Sequence, residues 1–146
     1  SREAVIPYAK KLQEMGARNV LVSLAGEGAV LVTEMGDVYD TPAPKGNLVS
    51  SVGAGDSMVA GFIYGYTTKG SYSYALNMGV AAGSASAFSE YLATEEEIME
   101  VYESLNTGLG ADSVLEDEKV MNRNEKLGIS TEVEAGYALG EDANLQ

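Results

Sequence analysis

The sequence predicts part of a layered α/β domain with an incomplete sheet. Three observations lead there. Short apolar runs of strand length lie near the start, helix-period stripes flank them, and glycine or proline marks most changes of pattern. The resulting order is one helix, two strands with a short third, a glycine-rich turn, then three helices.

Val5, Tyr8, Ala9 and Leu12 have helical spacing, and Gly16 follows as the residue that ends this helix. Pro7 must then lie near the first turn, because deeper in it would kink the helix. Residues 19–24 read as a buried strand running into the loop Ala25-Gly26-Glu27-Gly28, and residues 29–33 as a second strand. Met35-Gly36-Asp37 turns the chain into a short strand at Val38 and Tyr39. Pro42, Pro44 and Gly46 make residues 41–47 a loop.

A helix is expected from about Asp56 to Thr68, with Val59, Phe62, Ile63 and Tyr66 on one face. Another should run from about Tyr72 to Phe88. Its stretch from Gly79 to Ala87 is very poor in bulk, which suits close helix packing or the approach of a flat ligand. Thr94 and Glu97 form a capping box for a last helix through Leu105, with Ile98, Val101, Tyr102 and Leu105 inward. Beyond it, residues 106–146 read as a loosely ordered or unrelated acidic tail. They carry 9 acidic and 3 basic residues, against 13 and 6 in residues 1–105.

Composition narrows the chemistry. The 146 residues include 0 His and 0 Cys, which excludes histidine bases, thiolate nucleophiles, disulfides and the usual zinc sites. No metal site is expected. The net charge of −13 argues against nucleic acid and anionic membranes as partners, and no apolar run approaches a membrane span. A cytoplasmic location fits the absence of cysteine. There is no P-loop, dinucleotide fingerprint or nucleophile elbow. If this chain does chemistry, a carboxylate must be the base.

The strongest candidate is Asp56, in Val52-Gly53-Ala54-Gly55-Asp56-Ser57. Two glycines around one alanine leave backbone amides uncovered at a helix start, where the macrodipole favours an anion. Asp56 there suits either an N-cap or a base beside developing phosphoryl charge.

Taken in order, residues 22–29, Lys45-Gly46, and the run from Val52 to Phe62 resemble the C-terminal half of the ribokinase-like (PfkB) sugar kinases. The resemblance spans about residues 3–105, and within the family it is strongest to the branch that phosphorylates fructose 1-phosphate, with the tagatose-6-phosphate kinases next. It implies the C-terminal portion of a ribokinase-like α/β/α fold, ATP and Mg²⁺ as cofactors, and a phosphorylated ketohexose as acceptor. By the same resemblance Asp56 is the catalytic base, and the amides of Gly53, Ala54 and Gly55 are its anion hole. The loop holding Ser23, Gly26, Glu27 and Gly28 matches a segment lining the ATP site, although an ordinary hairpin loop has the same composition. Asn77, Ala81 and Gly83 fall where the family borders the adenine. Lys45 either steers a phosphate or is an exposed loop lysine. Ser50 stands where many members carry an aspartate tied to a monovalent cation, so such an ion is not expected here. No counterpart of the family's N-terminal, sugar-binding half is found. An incomplete sheet should expose edges and apolar surface, which favours a homo-oligomer or association with a missing N-terminal half.

Overall fold

The structure is a computed structural model that describes residues 1–109. Helix α1 (Arg2–Glu14) precedes three strands, β1 (Val20–Ser23), β2 (Ala29–Val32) and β3 (Val38–Thr41). The strands pair in the order β1-β2-β3, both pairs antiparallel, with Leu21 opposite Leu31 and Leu31 opposite Tyr39. Three helices follow, α2 (Ala54–Lys69), α3 (Tyr72–Phe88) and α4 (Glu95–Leu109). Apart from the last turn of α4, the acidic tail expected over 106–146 lies outside the described residues.

Strand alternation sets the layers. Val20, Val30 and Val32 cluster with Ala9 of α1, with Val5, Ile6 and Val22 packed around them. Ala29, Leu31 and Tyr39 cluster instead with Leu76, Val80 and Ala81 of α3. The sheet therefore lies between α1 and α3, and β2, buried along its whole length, is the central strand. Both α2 and α4 pack on α3, which explains why 12 of its 17 residues are buried. Ser71 caps α3 by accepting the Tyr74 amide at 3.2 Å.

Close approach of α2 and α3 rests on glycine. A Cβ on Gly61 would lie 2.7 Å from the Met78 carbonyl oxygen and the Ala82 Cβ. One on Gly83 would lie 2.9 Å from the Ala54 carbonyl oxygen. The run of small residues in α3 thus serves helix packing.

Several elements differ from the sequence expectation. In α1, Val5 and Ala9 face the sheet, but Tyr8 and Leu12 are exposed, and Ile6 takes an inward place. Pro7 sits in the second turn, not the first, and the helix continues through it to Glu14. The carbonyl it leaves without a donor belongs to exposed Glu3, where water can serve it. In α2 the packed face is Met58, Gly61 and Gly65 with Phe62 and Tyr66 beside it, while Val59 and Ile63 point to solvent. Strand β3 extends to Thr41, and α4 runs past Leu105. The capping box forms as expected: Thr94 Oγ1 accepts the Glu97 amide at 3.3 Å, and Glu97 accepts the Thr94 amide at 2.8 Å.

Tyr72 links the sheet to the helices, its ring 5.0 Å from that of Tyr66. Burial, then the hydrogen bond and charge of Tyr66, push its phenol well above the ordinary value. The folded state therefore holds this proton more tightly than the unfolded chain does. The resulting stability is complete below the unfolded pKa, about 10, and is lost as pH rises above it. Chemical denaturation from about pH 8 to 12 should show stability falling in the alkaline limb, and less steeply in Tyr72→Phe.

Candidate functional site

The segment entering α2 is held from behind. The Val49 and Ser50 amides both donate to the Ala87 carbonyl, at 2.8 and 3.1 Å, and Gly46 rests against the Phe88 ring. Gly53 then takes φ +77°, a left-handed turn that suits glycine, and becomes the N-cap. It brings no side chain to satisfy the first-turn amides. The Ala54 amide reaches the Ser51 carbonyl at 3.3 Å, and the Ser57 amide reaches Gly53 at 2.9 Å. Among the described residues nothing accepts from the amides of Gly53, Gly55 or Asp56.

This corrects two expectations. Asp56 is not the N-cap: α2 starts at Ala54, and Asp56 is its third residue. Of the three amides expected to form an anion hole, that of Ala54 is already taken, so the open set is Gly53, Gly55 and Asp56. The Asp56 side chain is exposed and makes no hydrogen bond or ion pair with a described residue. It is also the lone acidic residue in the first turn. An unengaged carboxylate and unengaged amides therefore share one turn, where the helix dipole favours negative charge.

Three residues that the sequence did not single out support this turn. Ser86 Oγ donates to Ser57 Oγ at 2.9 Å and accepts the Ala93 amide at 3.2 Å. That ties the loop before α4 to the first turn of α2, and lays Leu92 Cδ2 2.9 Å from where a Gly53 Cβ would be. Ser57 and Ser86 are 29 residues apart, so no spacing rule connects them.

The other predicted residues gather elsewhere. Gly26 and Glu27 lie in a short 3₁₀ turn (Ala25–Glu27) joining β1 to β2. With Arg2, Pro42 and Ala43 they line an open hollow of about 410 Å³. Arg2 was not anticipated: its guanidinium donates to the Glu27 carbonyl at 2.7 Å and to Asp40 at 2.5 Å. Gly28 is buried against the Thr41 carbonyl, and Ser23 is exposed at the end of β1. Asn77 is buried and accepts the Thr41 hydroxyl at 2.6 Å. Ala81 is fully buried, and Gly83 backs the first turn of α2. Lys45 is exposed in the loop before Gly46.

The structure thus makes two groups. The turn of Gly53, Ala54, Gly55 and Asp56 meets α3 at Gly83 through the Ala54 carbonyl. Gly26, Glu27 and Gly28 meet Pro42 and Ala43, and reach α3 through Thr41 at Asn77. Six residues of helix separate the two levels, about 9 Å along α3. The hollow includes no residue of the turn at 53–56. Among the described residues no three acidic side chains converge to hold a metal, and no helix is long and apolar enough to cross a membrane.

Comparison with known proteins agrees with this architecture. Residues 1–99 match the model of the pfkB family of carbohydrate kinases. The chain is 52% identical over 101 residues to a Bacillus subtilis 1-phosphofructokinase, covering 69% of this chain and 33% of the relative. Escherichia coli phosphofructokinase-2, solved in complex with substrates and products, superposes with a TM-score of 0.65 at 30% identity, over 73% of this chain and 35% of that one. A Thermotoga maritima ribokinase gives a TM-score of 0.62 at 25% identity, over 68% and 34%. The chain spans about one third of the length of these relatives. With a family match over residues 1–99 and a ribokinase-like partial α/β/α fold whose sheet is not closed, the chain belongs to the pfkB family of carbohydrate kinases.

Proposed function

We propose that the chain is the nucleotide-and-base portion of an ATP-dependent kinase that converts fructose 1-phosphate to fructose 1,6-bisphosphate. The observation that carries this reading is the first turn of α2, where exposed Asp56 adjoins the open amides of Gly53, Gly55 and Asp56. In the proposed step Asp56 takes the proton of the acceptor hydroxyl. The hydroxyl oxygen bonds to the γ-phosphorus of ATP as the bond to the departing ADP oxygen breaks. The open amides meet the negative charge spread over the transferring phosphoryl oxygens, which is where such catalysis gains most. The Bacillus subtilis relative's name supports fructose 1-phosphate as acceptor, and tagatose 6-phosphate is the second choice.

ATP fits the residues present. Ser23, Gly26, Glu27 and Gly28 would border its far end, with Gly26 and Glu27 at the hollow. For Asn77, Ala81 and Gly83 the proposed role is to hold the floor beneath the nucleotide, since all three are buried. Lys45, exposed, would draw a phosphate toward an otherwise acidic chain. Asp56 is the one carboxylate in the turn, so Mg²⁺ would arrive held mainly by phosphate oxygens and water, as this ion prefers. The cytoplasm, where ATP is made, is the proposed location.

Exposure of Asp56 favours one further reading of the chain by itself: it binds nucleotide weakly and turns over nothing. Kinases of this kind use substrate binding to close and dry the site, and here the base stands in water. Millimolar MgATP should raise the melting temperature of the chain, and Asp56→Ala should keep that shift, because the amides remain. No shift in either protein would reject the anion site.

A further inference from the structure

The loop between β1 and β2 is held in a conformation that its own residues do not favour. Ala25 has φ +49°, and among the described residues it is the one non-glycine residue in the left-handed region. A side chain there crowds the backbone, so such a residue persists only where its surroundings fix it. The Glu27 amide donates to the Leu24 carbonyl and the Gly28 amide to Ala25, each at 3.0 Å. On one side the loop meets the end of β3, since a Cβ on Gly28 would fall 1.9 Å from the Thr41 carbonyl oxygen. On the other stands Arg2, the first residue of α1, which reaches across 25 residues of sequence to the Glu27 carbonyl at 2.7 Å. Its other terminal nitrogen donates to Asp40 of β3 at 2.5 Å. One planar guanidinium thus ties the loop to the strand.

We propose that Arg2 is a positioning residue for the nucleotide: it braces the loop around Ala25 in its strained form, and Asp40 holds Arg2 in place. The guanidinium is not itself offered to phosphate, because Asp40 balances its charge and both terminal nitrogens are engaged. It acts through the Glu27 carbonyl, at the wall of the hollow that Gly26, Glu27, Pro42 and Ala43 line with it. Released from Arg2, Ala25 relaxes toward the ordinary helical or extended regions and carries Gly26 and Glu27 with it. The Arg2–Asp40 pair is partly exposed, so it adds little to the stability of the whole fold, and its effect is local. This inference rests on the kinase reading for the nucleotide alone; the brace is a property of the loop.

Amide exchange and MgATP titration are measured on the full chain, on Arg2→Ala, on Asp40→Asn, and on Arg2→Ala combined with Ala25→Gly. Without nucleotide, Arg2→Ala should exchange the Glu27 and Gly28 amides at least about tenfold faster, while Leu31 in β2 keeps its rate. If the braced loop falls to about a tenth of the population, the dissociation constant for MgATP rises about tenfold. Asp40→Asn should move both readings the same way, by less. Adding Ala25→Gly should recover most of the affinity, because glycine takes φ +49° without strain. A side chain that touched the nucleotide could not be replaced in that way. Unchanged exchange at Glu27 and Gly28 overturns the proposal, as does a loss of affinity that Ala25→Gly leaves unrepaired. Faster exchange at Leu31 as well overturns it too, since Arg2 would then support the whole sheet. Faster loop exchange in a chain whose parent binds no MgATP keeps the brace and rejects the nucleotide reading; weaker MgATP binding without faster exchange does the reverse.

Discussion

Asp56→Asn in an active protein completed with the rest of the domain should lower kcat by about 10²–10⁴-fold, the usual contribution of a positioned general base. The substitution removes the proton acceptor but keeps the size and the backbone. The open amides of Gly53, Gly55 and residue 56 persist, so KM for ATP should change little. A loss confined to kcat, with ATP binding intact, is the signature of a group that acts in the transition state. Retention of more than about a tenth of the rate would remove Asp56 from that role. Steady-state kinetics at saturating sugar phosphate and ATP make the measurement.

Gly61→Val should cost about 3 kcal/mol, roughly 10 °C in Tm, by overpacking the contact between α2 and α3. The first added carbon would already lie 2.7 Å from the Met78 carbonyl oxygen. Backbone cannot step aside as a flexible side chain can, so the helices must part. Parting them would also disturb Gly83 and the Ser57–Ser86 hydrogen bond, which hold the first turn of α2. Gly26→Ala is the control, since a Cβ there meets nothing within 4 Å. Its melting temperature should stay within about 2 °C of the parent, as for an ordinary surface change. Equal effects of the two substitutions would mean that α2 does not pack as described.

Local signals in the sequence located most elements. Helix α3 has the bounds expected of it, Tyr72 to Phe88, and the Thr94–Glu97 box forms as its spacing requires. The inward row of α4, Ile98 to Leu105, was equally plain because its outward face is acidic. Where both faces of a helix are apolar, periodicity cannot choose between them. In α2 the bulky positions 59 and 63 drew the expectation, whereas glycines at 61 and 65 allowed α3 closest, so the small face packs. Tyr8 and Leu12 misled in the same way in α1.

At the site, the glycine-rich turn and its aspartate were legible as a motif, and their hydrogen bonding was not. Nothing in the spacing reveals that Ser51 takes the Ala54 amide, which moves the open set one residue onward to Asp56. Nor could sequence distance bring Ser57 to Ser86, Leu92 to Gly53, or Arg2 to Glu27 and Asp40. Those contacts depend on how the layers stack. The separation of the loop at 26–28 from the turn at 53–56 is likewise a property of α3, which holds both at fixed heights.

Uncommitted main-chain donors at the start of one helix are what every functional statement here depends on. Titrating the isotope-labelled chain with MgATP, and following each backbone amide by NMR, interrogates them directly. The largest shifts should fall on Gly53, Gly55 and Asp56, and should survive in Asp56→Ala. Saturating nucleotide that leaves these three resonances unmoved would contradict the account.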